Sequence, residues 1–180
     1  MAEALIIVDF QNDFTPGGAL AVPEGDRIAD RVNELAADPR FDLVVATRDW
    51  HPRDHGSFEQ QGGPWPVHCV ADSEGAQLHP ALLRERVDVI VDKGQNPDTE
   101  GYSGFDETPL ESLLRSRGID RVTIVGLATD YCVKNTALDA LREGFEVTVV
   151  SGGVRGVDAN EGDSEKALDE VRAAGATVAP

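Results

Sequence analysis

"RVTIVGLATDYCVKNTALDALRE", residues 121–143, changes period part-way along. Its first eight residues (121–128) are apolar or β-branched on nearly consecutive positions, as a strand buried on both faces of a parallel sheet requires. Beyond the Ala-Thr-Asp turn, Val133, Ala137, Ala140 and Leu141 fall at i, i+4, i+7 and i+8, which makes a helix with one apolar side. The same strand-then-helix unit recurs along the chain. Strand-like runs occupy residues 4–10, 41–49, 87–94, 145–153 and 176–180. Ile28, Val32, Leu35 and Ala36 mark a second one-sided helix, while "TPLESLLRSRG" (108–118) and "GDSEKALDEVRAAG" (162–175) carry helix-start chemistry and end in glycine. This alternation predicts a three-layer α-β-α fold, with a six-stranded, mainly parallel, Rossmann-like sheet covered by helices on both faces.

Length and composition agree with that reading. The chain has 180 residues, 41% hydrophobic and 27% charged, which is one domain's worth of soluble globular protein. With no internal repeat and no low-complexity linker, residues 1–180 read as a single domain. A formal net charge of −17 repels phosphate backbones and anionic lipid, so nucleic acid and membrane surfaces are excluded as expected partners. The only cysteines, Cys69 and Cys132, cannot build a disulfide scaffold. Without a signal-peptide pattern or a long apolar run, the expected location is the cytoplasm.

In an open parallel sheet, ligands bind beyond the carboxyl ends of the strands. Asp9, Asp49, Lys93 and Ala128 end the first four strand-like runs, and Cys132 comes one helical turn later. A lone cysteine is commonly a small core hydrophobe. A cysteine in the first turn of a helix, however, is expected to have its thiolate stabilised by unpaired N–H groups and by the helix dipole. Lys93 would add a cation, Asp9 could take the thiol proton, and N–H groups near Ala128 and Cys132 would face a carbonyl oxygen under attack. Taken singly, Asp9 and Lys93 also fit a structural ion pair or a helix cap.

Between the second and third runs, residues 50–86 form a long irregular loop rich in Gly, Pro and His, and such loops are usually functional. With Asp49 it supplies the pattern D-x-H-x3-H-x12-H: Asp49, His51, His55 and His68. One carboxylate and three imidazoles suit a divalent cation such as iron, zinc or manganese, although incidental histidines in a solvated loop would look alike. His79, before a helix, reads as structural. Phe14, Trp65 and Tyr102, stranded in polar loops near the same rim, fit either ligand-covering aromatics or loop anchors.

The ordered set "IIVDFQNDF", "ATRDWHPRDH", "WPVHCV", "VDKG", "YSGF" and "GLATDYCV" resembles the nicotinamidases and pyrazinamidases of the isochorismatase-like cysteine hydrolases, from the first strand to the last. The resemblance implies hydrolysis of nicotinamide, and of pyrazinamide, through a cysteine thioester. It makes Cys132 the nucleophile, Asp9 the general base and then acid, and Lys93 the residue that orients and stabilises the charges. It assigns one divalent transition metal per chain to Asp49, His51, His55 and His68, where the metal seats the ring nitrogen of a small aromatic amide. The backbone amides of Ala128 and Cys132 match the oxyanion hole, the Leu127–Ala128 bond matches a cis position, and Phe14, Trp65 and Tyr102 match substrate-facing aromatics.

"GQNPDTEG" (94–101) matches no pattern, and Cys69 reads as packing. Two rivals stand beside this reading. One is a relative acting on a carbamoyl or ureido amide, which would keep Asp, Lys and Cys but lack the histidine set. The other is a non-catalytic metal-binding member, which would have lost a triad residue.

Overall fold

A computed structural model describes residues 1–180. Six strands, β1 (Ala2–Val8), β2 (Leu43–Asp49), β3 (Val89–Lys93), β4 (Ile119–Leu127), β5 (Glu146–Arg155) and β6 (Thr177–Ala179), form one sheet in the order β3-β2-β1-β4-β5-β6. Every neighbouring pair is parallel. Four helices connect them: α1 (Ala29–Ala36), α2 (Leu110–Ser116), α3 (Lys134–Arg142) and α4 (Asp163–Ala174).

The alternation of side chains along a strand divides the core into two layers. Ala4, Ile6 and Val8 of β1 pack with residues of α2, α3 and α4, whereas Leu5 and Ile7 pack on the other face with Ile28, Val32 and Leu35 of the α1 region. That second face has only one helix. The long loop completes its cover with Cys69, Ala76 and Leu82. No helix is long and apolar enough to cross a membrane.

Strand order reverses between β1 and β4, so their carboxyl ends flank a switch-point crevice. The two backbones come very close there: a Cβ on Gly126 (φ +119°) would lie 2.0 Å from the Val8 carbonyl oxygen, so only glycine fits.

Two boundaries differ from the sequence expectation. β1 ends at Val8, and Asp9 turns out of the strand with φ +48°. Cys132 lies before α3 rather than in its first turn. It sits in a single π-type turn, Thr129–Val133, in which the Val133 N–H reaches back five residues to the Ala128 carbonyl. The widened turn delays the regular helix to Lys134.

Candidate active site

The sheet register assembles the site. Asp49 and Lys93 are direct partners across β2 and β3, so their side chains emerge together at the carboxyl edge. Asp9 comes directly after β1, with its N–H bonded to the Thr47 carbonyl at 3.1 Å. Cys132 approaches from the turn after β4. Carboxylate oxygens of Asp9 and Asp49 and the Cys132 Sγ all lie within 4.8 Å of one another.

Lys93 joins these groups and is 1% exposed. Its Nζ donates hydrogen bonds to Asp49 Oδ1 (2.6 Å), the Gly101 carbonyl (2.9 Å) and Cys132 Sγ (3.4 Å). All three ammonium protons are thereby engaged. Asp9 Oδ2 also lies 2.8 Å from Nζ, but off hydrogen-bonding direction, and this buried oxygen has no hydrogen-bond partner.

The charge states are set by that packing. Burial alone would discharge Lys93, but Asp49 and then Asp9 outweigh it and hold its pKa well above the usual lysine value. Burial would raise the Asp49 carboxyl, but Lys93 and His51 hold it far below the usual carboxylate range. For Asp9 burial wins over the pull of Lys93, and its pKa is raised. The Cys132 thiol reverses the sequence expectation of a lowered pKa. Burial pushes it well up, Lys93 opposes, and Asp9 and Asp49 add to the rise. A thiol enclosed by two carboxylates rests in the protonated form, so its proton has to be removed as it attacks.

Beside this cluster, Asp49 Oδ2 lies 3.3 Å from His51 Nε2 and 3.9 Å from His68 Nε2. Each loop histidine has its Nδ1 tied back: His51 to the Gly94 carbonyl at 2.7 Å, His55 to Ser57 Oγ at 2.7 Å and His68 to the Pro66 carbonyl at 2.8 Å. That leaves three Nε2 atoms, and His55 Nε2 is buried without any partner. Imidazoles held through one nitrogen, with the other turned to a shared carboxylate or, in His55, left without a partner, are arranged as metal ligands are. Burial lowers His68, and burial and the neighbouring His51 bring His55 down to about 4, so both are neutral, as ligation requires. Asp49, His51 and His68 form the tight set, while the His55 ring lies against His51, tilted by 30° with centroids 3.9 Å apart.

"GQNPDTEG", which sequence reading left unassigned, holds both halves together. The Gly94 carbonyl fixes His51, the Gly101 carbonyl fixes Lys93, and the Pro97 carbonyl accepts from the Gly56 N–H of the long loop at 2.9 Å. A Cβ on Gly94 would lie 2.5 Å from the His51 ring, and one on Gly101 would lie 2.5 Å from Gly94 Cα. A glycine at each end of the segment was the signal.

A narrow pocket opens onto Cys132. Phe14, Trp65 and Tyr102 line it as expected, together with Asp49, His68 and Ala128. Leu20, Val22, Tyr131 and Val157 also line it and were not anticipated. Trp65 Nε1 donates to the Tyr102 hydroxyl at 3.0 Å, and its ring meets Tyr131 edge-on at 5.0 Å. The Ala128 N–H has no protein acceptor, and the Leu127–Ala128 peptide is cis, as the resemblance implies. Sequence reading also missed Phe58, fully buried with its ring within 5.7 Å of all three loop imidazoles, and Gln11. The Gln11 side chain brackets both backbone groups of Asp49 at 2.9 Å. His79 stacks on Phe10, in keeping with a structural role. Cys69 is buried in the core, and burial raises its thiol pKa well above the ordinary value.

Comparison with known proteins gives a consistent picture. The Isochorismatase domain profile matches residues 3–180. The nicotinamidase of Escherichia coli (strain K12) is 46% identical over 198 residues, covering 97% of this chain and 93% of that protein. The crystal structure of Pyrococcus horikoshii pyrazinamidase in complex with zinc superposes with a TM-score of 0.91 at 49% identity, covering 99% of this chain and 98% of that one. PnC1 from L. infantum, solved in complex with nicotinate, gives a TM-score of 0.93 at 39% identity over 98% of this chain and 91% of its own.

Proposed function

The chain belongs to the isochorismatase family, and from that membership and the geometry above we propose that it hydrolyses nicotinamide to nicotinate and ammonia, accepts pyrazinamide as well, and works through a thioester on Cys132. The observation that carries this reading is the double engagement of Asp49. Its Oδ1 holds Lys93 at the thiol while its Oδ2 faces the histidines, which joins a cysteine amidase site to a metal-type site at the foot of one aromatic pocket.

Asp49, His51, His55 and His68 would hold one divalent transition metal (iron, zinc or manganese), which when bound seats the ring nitrogen of the substrate. The covalent chemistry belongs to the chain. Asp9 takes the Cys132 proton, and Lys93 stabilises the sulfur charge as the thiolate bonds to the amide carbon. The Ala128 and Cys132 N–H groups donate to the resulting oxyanion, where loss of one donor typically costs about 10²–10³ in rate. Asp9 returns its proton to the amide nitrogen as the C–N bond breaks and ammonia leaves. A water then attacks the thioester with Asp9 taking its proton, and that proton goes back to sulfur as the C–S bond breaks.

Phe14, Trp65 and Tyr102 form the substrate walls in this scheme. Residues 1–180 act as one domain, with 50–86 as its metal-site loop, and the family match over nearly the whole chain supports this. Two unpaired thiols fit a reducing, cytoplasmic setting.

The test is ammonia release by the purified protein and its Cys132→Ala variant from nicotinamide, pyrazinamide, and ureido and aliphatic amides. Release from the aromatic amides by wild type alone is expected. Turnover of a ureido compound with none of nicotinamide would overturn the substrate assignment.

A further inference from the structure

The two oxygens of Asp9 have different surroundings, and Thr47 is the cause. Thr47 lies fully buried in β2, and its hydroxyl donates to Asp9 Oδ1 at 2.8 Å. The same Oγ1 accepts the Asp9 N–H at 3.2 Å, while the Thr47 carbonyl accepts that N–H at 3.1 Å. Three contacts from one residue therefore clamp Asp9 as it leaves β1 in its left-handed conformation. With the Asp9 N–H on one side of Oγ1, the hydroxyl proton is directed to Oδ1. Asp9 Oδ2 is left buried, 2.8 Å from the Lys93 ammonium and without a hydrogen-bond partner.

We infer that Thr47 is a positioning residue that occupies Asp9 Oδ1 and so reserves Oδ2 as the atom that takes the Cys132 proton and passes it to the leaving nitrogen. The S–H bond of Cys132 breaks as an O–H bond forms on Oδ2. That O–H bond then breaks as an N–H bond forms on the departing amine. Without the Thr47 hydroxyl, the carboxylate can rotate and either oxygen can take the proton. The single proton-accepting position that the Thr47 hydroxyl enforces is then lost. The inference rests on the proposed thioester reaction but concerns only its proton path.

Thr47→Ala and Thr47→Ser differ by a single oxygen, which isolates the hydroxyl from the packing of the Thr47 methyl group. Both variants are purified, matched to wild type for metal content and melting temperature, and assayed for ammonia release from nicotinamide. Alkylation of Cys132 by iodoacetamide, which requires loss of the same proton, is followed in parallel. The alanine variant is expected to lose about 10- to 100-fold in kcat, with KM little changed and alkylation slowed, and the serine variant to recover both. Equal kcat in the alanine and serine variants, or a loss confined to KM, would overturn the proton-path role. Were wild type inert towards nicotinamide, the functional reading would fail by itself, and the alkylation rates would still decide for or against Thr47.

Discussion

Replacing Lys93 with methionine removes a charge while keeping most of the side-chain volume, and the structure specifies the consequences. In the wild type one buried ammonium serves two buried carboxylates, at 2.6 Å from Asp49 and 2.8 Å from Asp9. Its loss leaves two carboxylates whose oxygens approach within 4.8 Å, both enclosed by protein. Breaking a buried pair by deleting one partner typically costs about 3–5 kcal/mol. For a chain of this length 1 kcal/mol moves the melting temperature by about 2–4 °C, so a fall of about 6–20 °C is expected. The pH dependence has a definite sign in metal-stripped protein. Wild-type Asp49 is depressed, so the stability it contributes is present at neutral pH and is lost as pH falls through its low folded value. In the variant Lys93 no longer opposes burial, so both carboxyl pKa values rise, that of Asp49 against the remaining pull of His51. Their destabilisation is then largest at neutral pH and disappears as they bind protons. Both effects narrow the deficit in acid. Turnover of nicotinamide should fall about 10²–10⁴-fold, the usual range for groups that manage proton transfer. Calorimetry at neutral and acid pH, with ammonia release, measures these quantities, and an Asp9→Asn/Lys93→Met double variant completes a cycle. The double variant should be less destabilised than the sum of the two single changes, because removing one carboxylate relieves the other. Additive losses, or a single variant that melts like wild type at every pH, would refute the claim that Lys93 holds the two carboxylates together.

The state of the thiol and the metal loop give two more tests. Because burial raises the Cys132 pKa, alkylation at the pocket should accelerate as pH rises and show no acid plateau of the kind a preformed thiolate gives. Mass spectrometry should place the label on Cys132 rather than on the fully buried Cys69, with protection by nicotinamide; labelling of Cys69 at an equal rate would count against the pocket. Ser57→Ala removes the hydroxyl from His55 Nδ1, leaving only the Ser57 N–H at 3.2 Å, without touching a proposed ligand, and should weaken metal binding about 10- to 100-fold in a chelator competition while elemental analysis of wild type finds about one metal per chain. Unchanged affinity would remove Ser57 as the support of that imidazole.

Much of the layout could be read from residue types. Consecutive apolar runs identify strands buried on both faces, and a parallel sheet sends all their carboxyl ends to one edge, so Asp9, Asp49, Lys93 and Ala128 had to converge. Local pattern could not show how closely they converge. The raised Cys132 thiol depends on enclosure by two carboxylates from other strands, whereas the expectation of a lowered value used only the helix start nearby. The π-type turn that displaces α3 depends on two backbone bonds, Val133 to Ala128 and Lys134 to Thr129, for which no side chain is the signal. Gln11, Thr47 and Phe58 escaped notice because they act on the backbone, carboxylate or ring of another residue, and their own chemistry is ordinary.

Register explains why the parts cannot be exchanged independently. Ile7 pairs with Ala46 and Asp49 with Lys93, so Thr47 reaches the residue leaving β1 while Lys93 emerges beside Asp49. Side chains alternate along a strand, so a slip of β3 by one residue against β2 would turn Lys93 to the opposite face and bring Asp92 or Gly94 into its place. Asp9 and Asp49 would then share a buried corner with no cation, the arrangement that the Lys93→Met variant creates on purpose. The burial pattern at the end of β3 opposes that slip, since Val91 and Lys93 are buried while Asp92, on the other face, pairs with Arg48 at 2.7 Å. The pattern that stabilises the sheet therefore also sets the distance between the proposed nucleophile and its cation, and the fold and the chemistry depend on one register.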